Sequence, residues 1–236
     1  RHGYEFVGWT GEGITTPQPT VTLPKGSTGD KTYIENWVET GYTITLDLNG
    51  GGQDFEQQVL LEDLHRGRGK EIKAAIDDGV TFLTICGGYQ MLGEYYETYD
   101  GKRCDFIGAL ELYTVGSKKR MIGNYEFKCT ENAGGSVVVG FENHSGKTWL
   151  GSGVEPLGKI ISGFGNNGED GTEGARYKNV FATYSHGCLL PKNPQIADFV
   201  LKTALERKYG AMELKPLDNA LETAAHDYMQ KRLSEK

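Results

Sequence analysis

The chain has 236 residues, 37% of them hydrophobic, with a formal net charge of −7, which allows one domain of ordinary size, or one plus a small module, around a real core. The acidic balance argues against nucleic acid as the main partner, and no apolar run approaches a membrane span. The first residues carry no signal-peptide pattern, and Cys86, Cys104, Cys129 and Cys188 lack Cys-x-x-Cys spacing, so the expectation is a cytoplasmic protein with neither a zinc site nor a disulfide framework.

Residues 1–39 are rich in Gly, Thr and Pro, place aromatics at Tyr4, Phe6, Trp9, Tyr33 and Trp37, and show almost no helical period. They read as short strands joined by turns, with one β-like run at Thr20, Thr22 and Leu23 and a turn at 24–29. Residues 42–48 alternate cleanly, Tyr42, Ile44, Leu46 and Leu48 against Thr43, Thr45 and Asp47. The glycines at 50–52 follow, either as a hairpin turn or as a loop whose bare backbone N–H groups face a ligand.

Beyond that point the pattern becomes α/β. Asp54 can cap a helix carrying Phe55, Val59, Leu60 and Leu64, and the basic run 65–70 is expected to break it as a solvated loop. Residues 71–78 predict a second helix with Ile72, Ala75 and Ile76 inward and Gly79 as its C-terminal cap. A β-type run, 82–85, then meets Cys86, Gly87 and Gly88 before a helical pattern on Tyr89, Met91 and Leu92. This is a strand-to-helix elbow with a thiol at its apex. Unpaired N–H groups and the positive end of the helix favour thiolate there, while glycines permit a sharp turn and let a carbonyl approach the backbone.

Residues 110–115, 121–128, 136–141 and 157–161 predict strands. Glu142, Asn143 and His144 read as a turn at a strand end, and 163–174 as a surface loop without metal-loop spacing. Residues 180–185 form an apolar run that delivers His186 to a strand end before a glycine, the usual way a base reaches a cysteine nucleophile. Residues 194–209 and 217–233 predict amphipathic helices.

The segments Thr84-Ile-Cys-Gly-Gly-Tyr-Gln90, Val139-Gly-Phe-Glu-Asn-His144, Gly163-Phe-Gly-Asn-Asn-Gly168 and Thr183-Tyr-Ser-His-Gly187 together resemble the cobyric-acid-synthase-like branch of class I glutamine amidotransferases. Within it they look most like glutaminase subunits that work with a MurT-like Mur ligase on lipid II. The resemblance runs from about residue 50 onward. It implies an α/β, flavodoxin-like amidotransferase domain over residues 50–236, incomplete because the usual first strand, helix and second strand are missing. Residues 1–49 instead resemble a small β-rich internalin-type surface repeat, with a join near 48–52.

The resemblance further implies Cys86 as nucleophile and His186 as base. Oxyanion donors would come from the backbone of Gly51 and Gly87, and Arg120 and Gln90 would contact glutamine. No metal or cofactor is implied in this chain, ATP and magnesium being used by the partner ligase. The position of the usual triad acid is Cys188, so the partner is expected to contribute the acid, with Glu142 an open alternative within the chain. Cobyrinate-type amidation and a non-catalytic fusion product also stay open.

Overall fold

The computed structural model describes residues 4–39, 62–187 and 189–235. The alternating run at 42–48, the glycine loop with Gly51, the join near 48–52, the helix from Asp54 to Leu60, and Cys188 lie outside the described residues. The chain divides into two compact units, residues 1–56 and 57–236.

The first unit is a three-stranded antiparallel sheet of β1 (Tyr4–Gly11), β2 (Ile14–Gln18) and β3 (Tyr33–Glu39) in the order β2-β1-β3. Phe6 meets Trp9 and Trp37 edge-on at 5.5 and 5.2 Å between ring centroids, aromatic contacts that stand in for a deeper core. The strand expected around residues 20–23 is not formed. Pairing starts at Ile14 instead, because Gly11 pairs directly with Ile14 across the two-residue turn at Glu12 and Gly13, and Gly13 takes φ +75°.

In the second unit, the basic run interrupts the helical path with a kink at Gly67 rather than with a loop. A widened turn at Leu64–Arg68 continues into α1 (Gly69–Asp77). Gly67 absorbs the kink at φ +144°, and Gly69 lies where a Cβ would come within 2.8 Å of the Leu64 carbonyl. Gly67 thus takes a conformation outside the helix that turns the path, and Gly69 serves close approach. Arg66 and Arg68 are exposed and pair with Glu62 and Asp63. Gly79 does end the helix, at φ +76° with its N–H on Ile76 O.

The segments β4 (Phe82–Ile85), β11 (Ala175–Tyr177) and β12 (Val180–Thr183) form a sheet in the order β11-β12-β4, and β4 and β12 run parallel with Thr183 opposite Ile85. Every residue of β12 is buried. Its alternation divides the interior, as period-two side chains must. Val180, Ala182 and then Tyr184 enter one core with Ile76, Tyr89, Leu92 and Leu110. Phe181 enters a second, with Tyr125, Phe127, Val138, Leu157 and Ile196.

A larger sheet contains β5 (Tyr95–Glu97), β6 (Arg103–Asp105), β7 (Leu112–Cys129), β8 (Val137–Leu150), β9 (Gly158–Ser162) and β10 (Thr172–Glu173). The two strands expected at 110–115 and 121–128 are one strand, β7, with a register break between Gly116 and Met121. β8 runs on to Leu150, so Glu142, Asn143 and His144 lie in mid-strand and not in a turn. Glu142, His144, Gly146 and Thr148 alternate inward on one face. The helices α2 (Gly87–Met91), α3 (Leu189–Lys192), α4 (Pro194–Tyr209) and α5 (Ala220–Ser234) complete a mixed α/β unit. No helix among the described residues is long and apolar enough to cross a membrane.

Candidate active site

The parallel pair β4 and β12 leads into Cys86 and His186, the two candidate reactive side chains. Cys86 follows the last residue of β4 and caps α2, with φ +52° and ψ −109°. For a residue with a Cβ this is a strained conformation, costing of order 1–3 kcal/mol. Two backbone bonds hold it, Cys86 N–H to Thr183 O at 2.9 Å and Gln90 N–H to Cys86 O at 3.0 Å. The sequence places permissive φ on the glycines, but the structure places it on the cysteine, and neither Gly87 nor Gly88 has positive φ. The second reason for a glycine holds up better. A Cβ at Gly87 would have no heavy atom within 4 Å, so the backbone beside the thiol is open to an approaching group.

Nor is the thiol acidified. Burial pushes the Cys86 pKa up, and the Gly87 N–H and the Arg120 charge offset this only partly. The expectation of a thiolate held by the helix end is therefore corrected. Removing a small sulfur from water outweighs the dipole of a five-residue helix.

His186 lies three residues beyond β12, its N–H bonded to Phe141 O on β8 at 2.8 Å. Its Nε2 is buried without a hydrogen-bond partner among the described residues. Burial lowers the imidazole pKa, the nearby His144 and Arg120 add to that, and the Asn143 backbone carbonyl works against it. A neutral ring with an uncommitted Nε2 is equipped to accept a proton. Exposed Arg120 is fixed by a 2.6 Å bond from its Nε to Asn143 Oδ1, and its charge reaches both Cys86 and His186. It lies within β7, not ahead of a strand. Gln90 points back into the protein, its Nε2 donating to Tyr184 Oη at 3.0 Å. The structure thus gathers Cys86, Gly87, His186, Arg120 and Gln90, while Gly51 lies outside the described residues.

Beneath them is a polar network. Tyr184 is fully buried, bonded to Thr148 Oγ1 at 2.6 Å, and stacked on His144 at 3.6 Å with an interplanar angle of 7°. Glu142 accepts the N–H groups of Phe164 and Gly165 at 2.8 and 3.0 Å and stands 3.5 Å from His144 Nε2. Those contacts commit it to the loop and to His144. Among the described residues, no carboxylate hydrogen-bonds His186. The loop at 163–174 is not a surface excursion either, since Asn166, Asn167 and Glu173 are all buried. Asn166 alone bonds Tyr89, Thr172 and the Gly174 carbonyl. These inward polar residues were missed because amides and carboxylates among glycines read as solvated; the one available cue was their place just ahead of a wholly apolar strand.

A thiol on a strained strand-to-helix elbow, with a histidine just beyond the end of the adjacent parallel strand, is the arrangement expected of a glutamine amidotransferase of the α/β class. A family model described as a CobB/CobQ-like glutamine amidotransferase domain matches residues 27–194, and the chain belongs to that family. It is 43% identical over 176 residues to the lipid II isoglutaminyl synthase (glutamine-hydrolyzing) subunit GatD of Staphylococcus aureus, covering 75% of this chain and 70% of that protein. With the GatD subunit of Streptococcus pneumoniae it shares 42% identity over 162 residues, 68% of this chain and 61% of the relative. It is 34% identical over 217 residues to a probable cobyric acid synthase of Methanothermobacter thermautotrophicus, covering 84% of this chain but 41% of that protein.

Proposed function

We propose that this chain is the glutamine-hydrolysing subunit of a lipid II isoglutaminyl synthase, supplying ammonia to a MurT-like Mur ligase that amidates the D-glutamate of lipid II. The similarity to the two GatD subunits supports the acceptor and the division of labour. In this reading the protein works in the cytoplasm, and ATP and magnesium belong to the partner, this chain holding no cofactor.

In the proposed reaction, His186 Nε2 takes the proton of Cys86 Sγ as the sulfur attacks the side-chain amide carbon of glutamine. The Gly87 N–H, with one from the Gly51 loop, receives the oxyanion; one such donor is worth about 3 kcal/mol of barrier. The tetrahedral intermediate collapses as the C–N bond breaks and His186 returns its proton to the leaving ammonia. Water, activated by the same imidazole, then cleaves the thioester to glutamate. Arg120 holds the substrate α-carboxylate, while Gln90, its Nε2 committed to Tyr184, keeps only its Oε1 to offer the substrate. The third member, an acid that orients His186, comes from the partner.

The observation that carries this reading is the register of β4 and β12, which places Cys86 and His186 at neighbouring strand ends with Cys86 N–H on Thr183 O. The test is intact-mass labelling with the glutamine-like electrophile diazo-oxo-norleucine, with and without a MurT-type partner. One adduct, lost in Cys86→Ala and formed faster with the partner, is the expected result. A wild-type protein that stays folded yet takes no adduct in either condition overturns it.

A further inference from the structure

The proposed reaction leaves unused a carboxylate that is wholly buried. Glu173 lies at the end of β10, 0% exposed, and its Oε1 receives three hydrogen bonds: from Thr183 Oγ1 at 2.6 Å, Tyr184 N–H at 2.9 Å and Tyr125 Oη at 3.0 Å. Its Oε2 has no partner among the described residues. Burial raises its pKa, against the pull of those three donors. A buried carboxyl with one oxygen crowded and the other bare costs stability, so its presence calls for a reason.

The reason lies in what the three donors hold. Thr183 is the last residue of β12. Its carbonyl takes the Cys86 N–H, and its hydroxyl, while donating to Glu173, accepts the Ser185 N–H at 2.9 Å. Tyr184 is the residue whose hydroxyl meets Gln90. From Thr183 to Ser185 the chain leaves the strand and leads to His186, and Glu173 holds its first two residues directly. Gly174, at φ +60°, makes this possible: a Cβ there would come within 2.1 Å of the Ala182 carbonyl, so only glycine lets the loop press Glu173 against β12.

We infer that Glu173 is a positioning residue for both reactive groups, setting the Thr183–Ser185 segment from which the strained Cys86 is held and His186 is carried. It touches neither ring nor sulfur, and acts on them through the backbone of β12. The inference deepens the glutaminase reading, but its chemistry needs only that Cys86 and His186 work as a pair.

The experiment measures the rate of Cys86 modification per folded molecule, by peptide-level mass, in Glu173→Ala, Glu173→Gln and Thr183→Val. Iodoacetamide is the probe that needs no glutamine site, and diazo-oxo-norleucine the one that does. Glu173→Ala is expected to slow the limiting rate with both probes by about tenfold to a hundredfold, the scale of a small misplacement of reacting groups. The half-saturating concentration of diazo-oxo-norleucine should change little, because Arg120, on β7, has no bond to Glu173. Glu173→Gln, which keeps an acceptor of the same shape, is expected to restore the rate to within about threefold. Combining Glu173→Ala with Thr183→Val should slow the reaction by less than the product of the single effects. Folded Glu173→Ala protein that reacts at the wild-type rate overturns the inference and makes Glu173 purely a matter of stability. If that variant does not fold, Thr183→Val decides in the same way. A wild type that takes iodoacetamide but, with and without a MurT-type partner, takes no diazo-oxo-norleucine defeats the glutaminase reading alone, and the iodoacetamide ratios still judge Glu173.

Discussion

Burial moves the pKa of Cys86 up and that of His186 down, so both favour the neutral form, thiol and imidazole. The sign of the pH dependence follows. Modification of Cys86 in the isolated chain should climb through and beyond the ordinary thiol range, about 8.5, and at pH 7 exposed Cys104 should react faster. Peptide-level kinetics with iodoacetamide check this, and a faster Cys86 at pH 7 contradicts it. Arg120 lowers both pKa values, so Arg120→Ala should shift the whole profile upward. It should also raise the KM for glutamine about tenfold to a hundredfold, the worth of one charged hydrogen bond at roughly 1.5–3 kcal/mol; an unchanged KM removes it from the substrate. Glu173 titrates with the opposite consequence for stability. Its pKa is raised on folding, so its contribution is intact below the unfolded value of about 4.3 and is lost as pH rises through the folded one. The urea stability of Glu173→Gln relative to wild type should therefore improve as pH climbs from about 4 towards neutrality; a constant difference would mean no such shift.

Among the elements, β12 carries the most. Phe181 fills the second core at 1% exposure and stacks edge-on with Phe199, and Phe181→Ala should cost about 3–5 kcal/mol in urea unfolding. A loss under 1 kcal/mol would mean the strand is not the divider between cores. The parallel pair was legible because residues 82–85 and 180–183 are apolar runs bounded by polar or glycine residues, and a polar side chain ending such a run is conspicuous. β8 extends past the expected strand end: Glu142 and His144 look like turn residues, yet they face inward, Glu142 bonded to Phe164 and Gly165 and His144 Nδ1 to Gly146. Their partners lie about twenty residues ahead or just beyond, and no local period reports that. The path through residues 64–69 failed for a related reason: a glycine that permits close packing is spelled like one that ends a helix.

At the scale of the molecule, the second unit carries Cys86, His186 and Arg120, and no carboxylate among its described residues hydrogen-bonds His186. If a partner supplies that acid, the working enzyme is the complex. Adding the partner should accelerate Cys86 labelling by diazo-oxo-norleucine without changing the intrinsic reactivity of Cys104. Equal acceleration of both cysteines would point to a general effect on the chain.

The raised pKa of Cys86 has one more consequence. Peroxide attacks thiolate and not thiol, and the sulfenic acid it forms is the first rung of a ladder that ends in irreversible sulfonic acid. A lower thiolate fraction at Cys86 is therefore expected to make peroxide oxidise it more slowly than exposed Cys104, whose modification serves as the comparison.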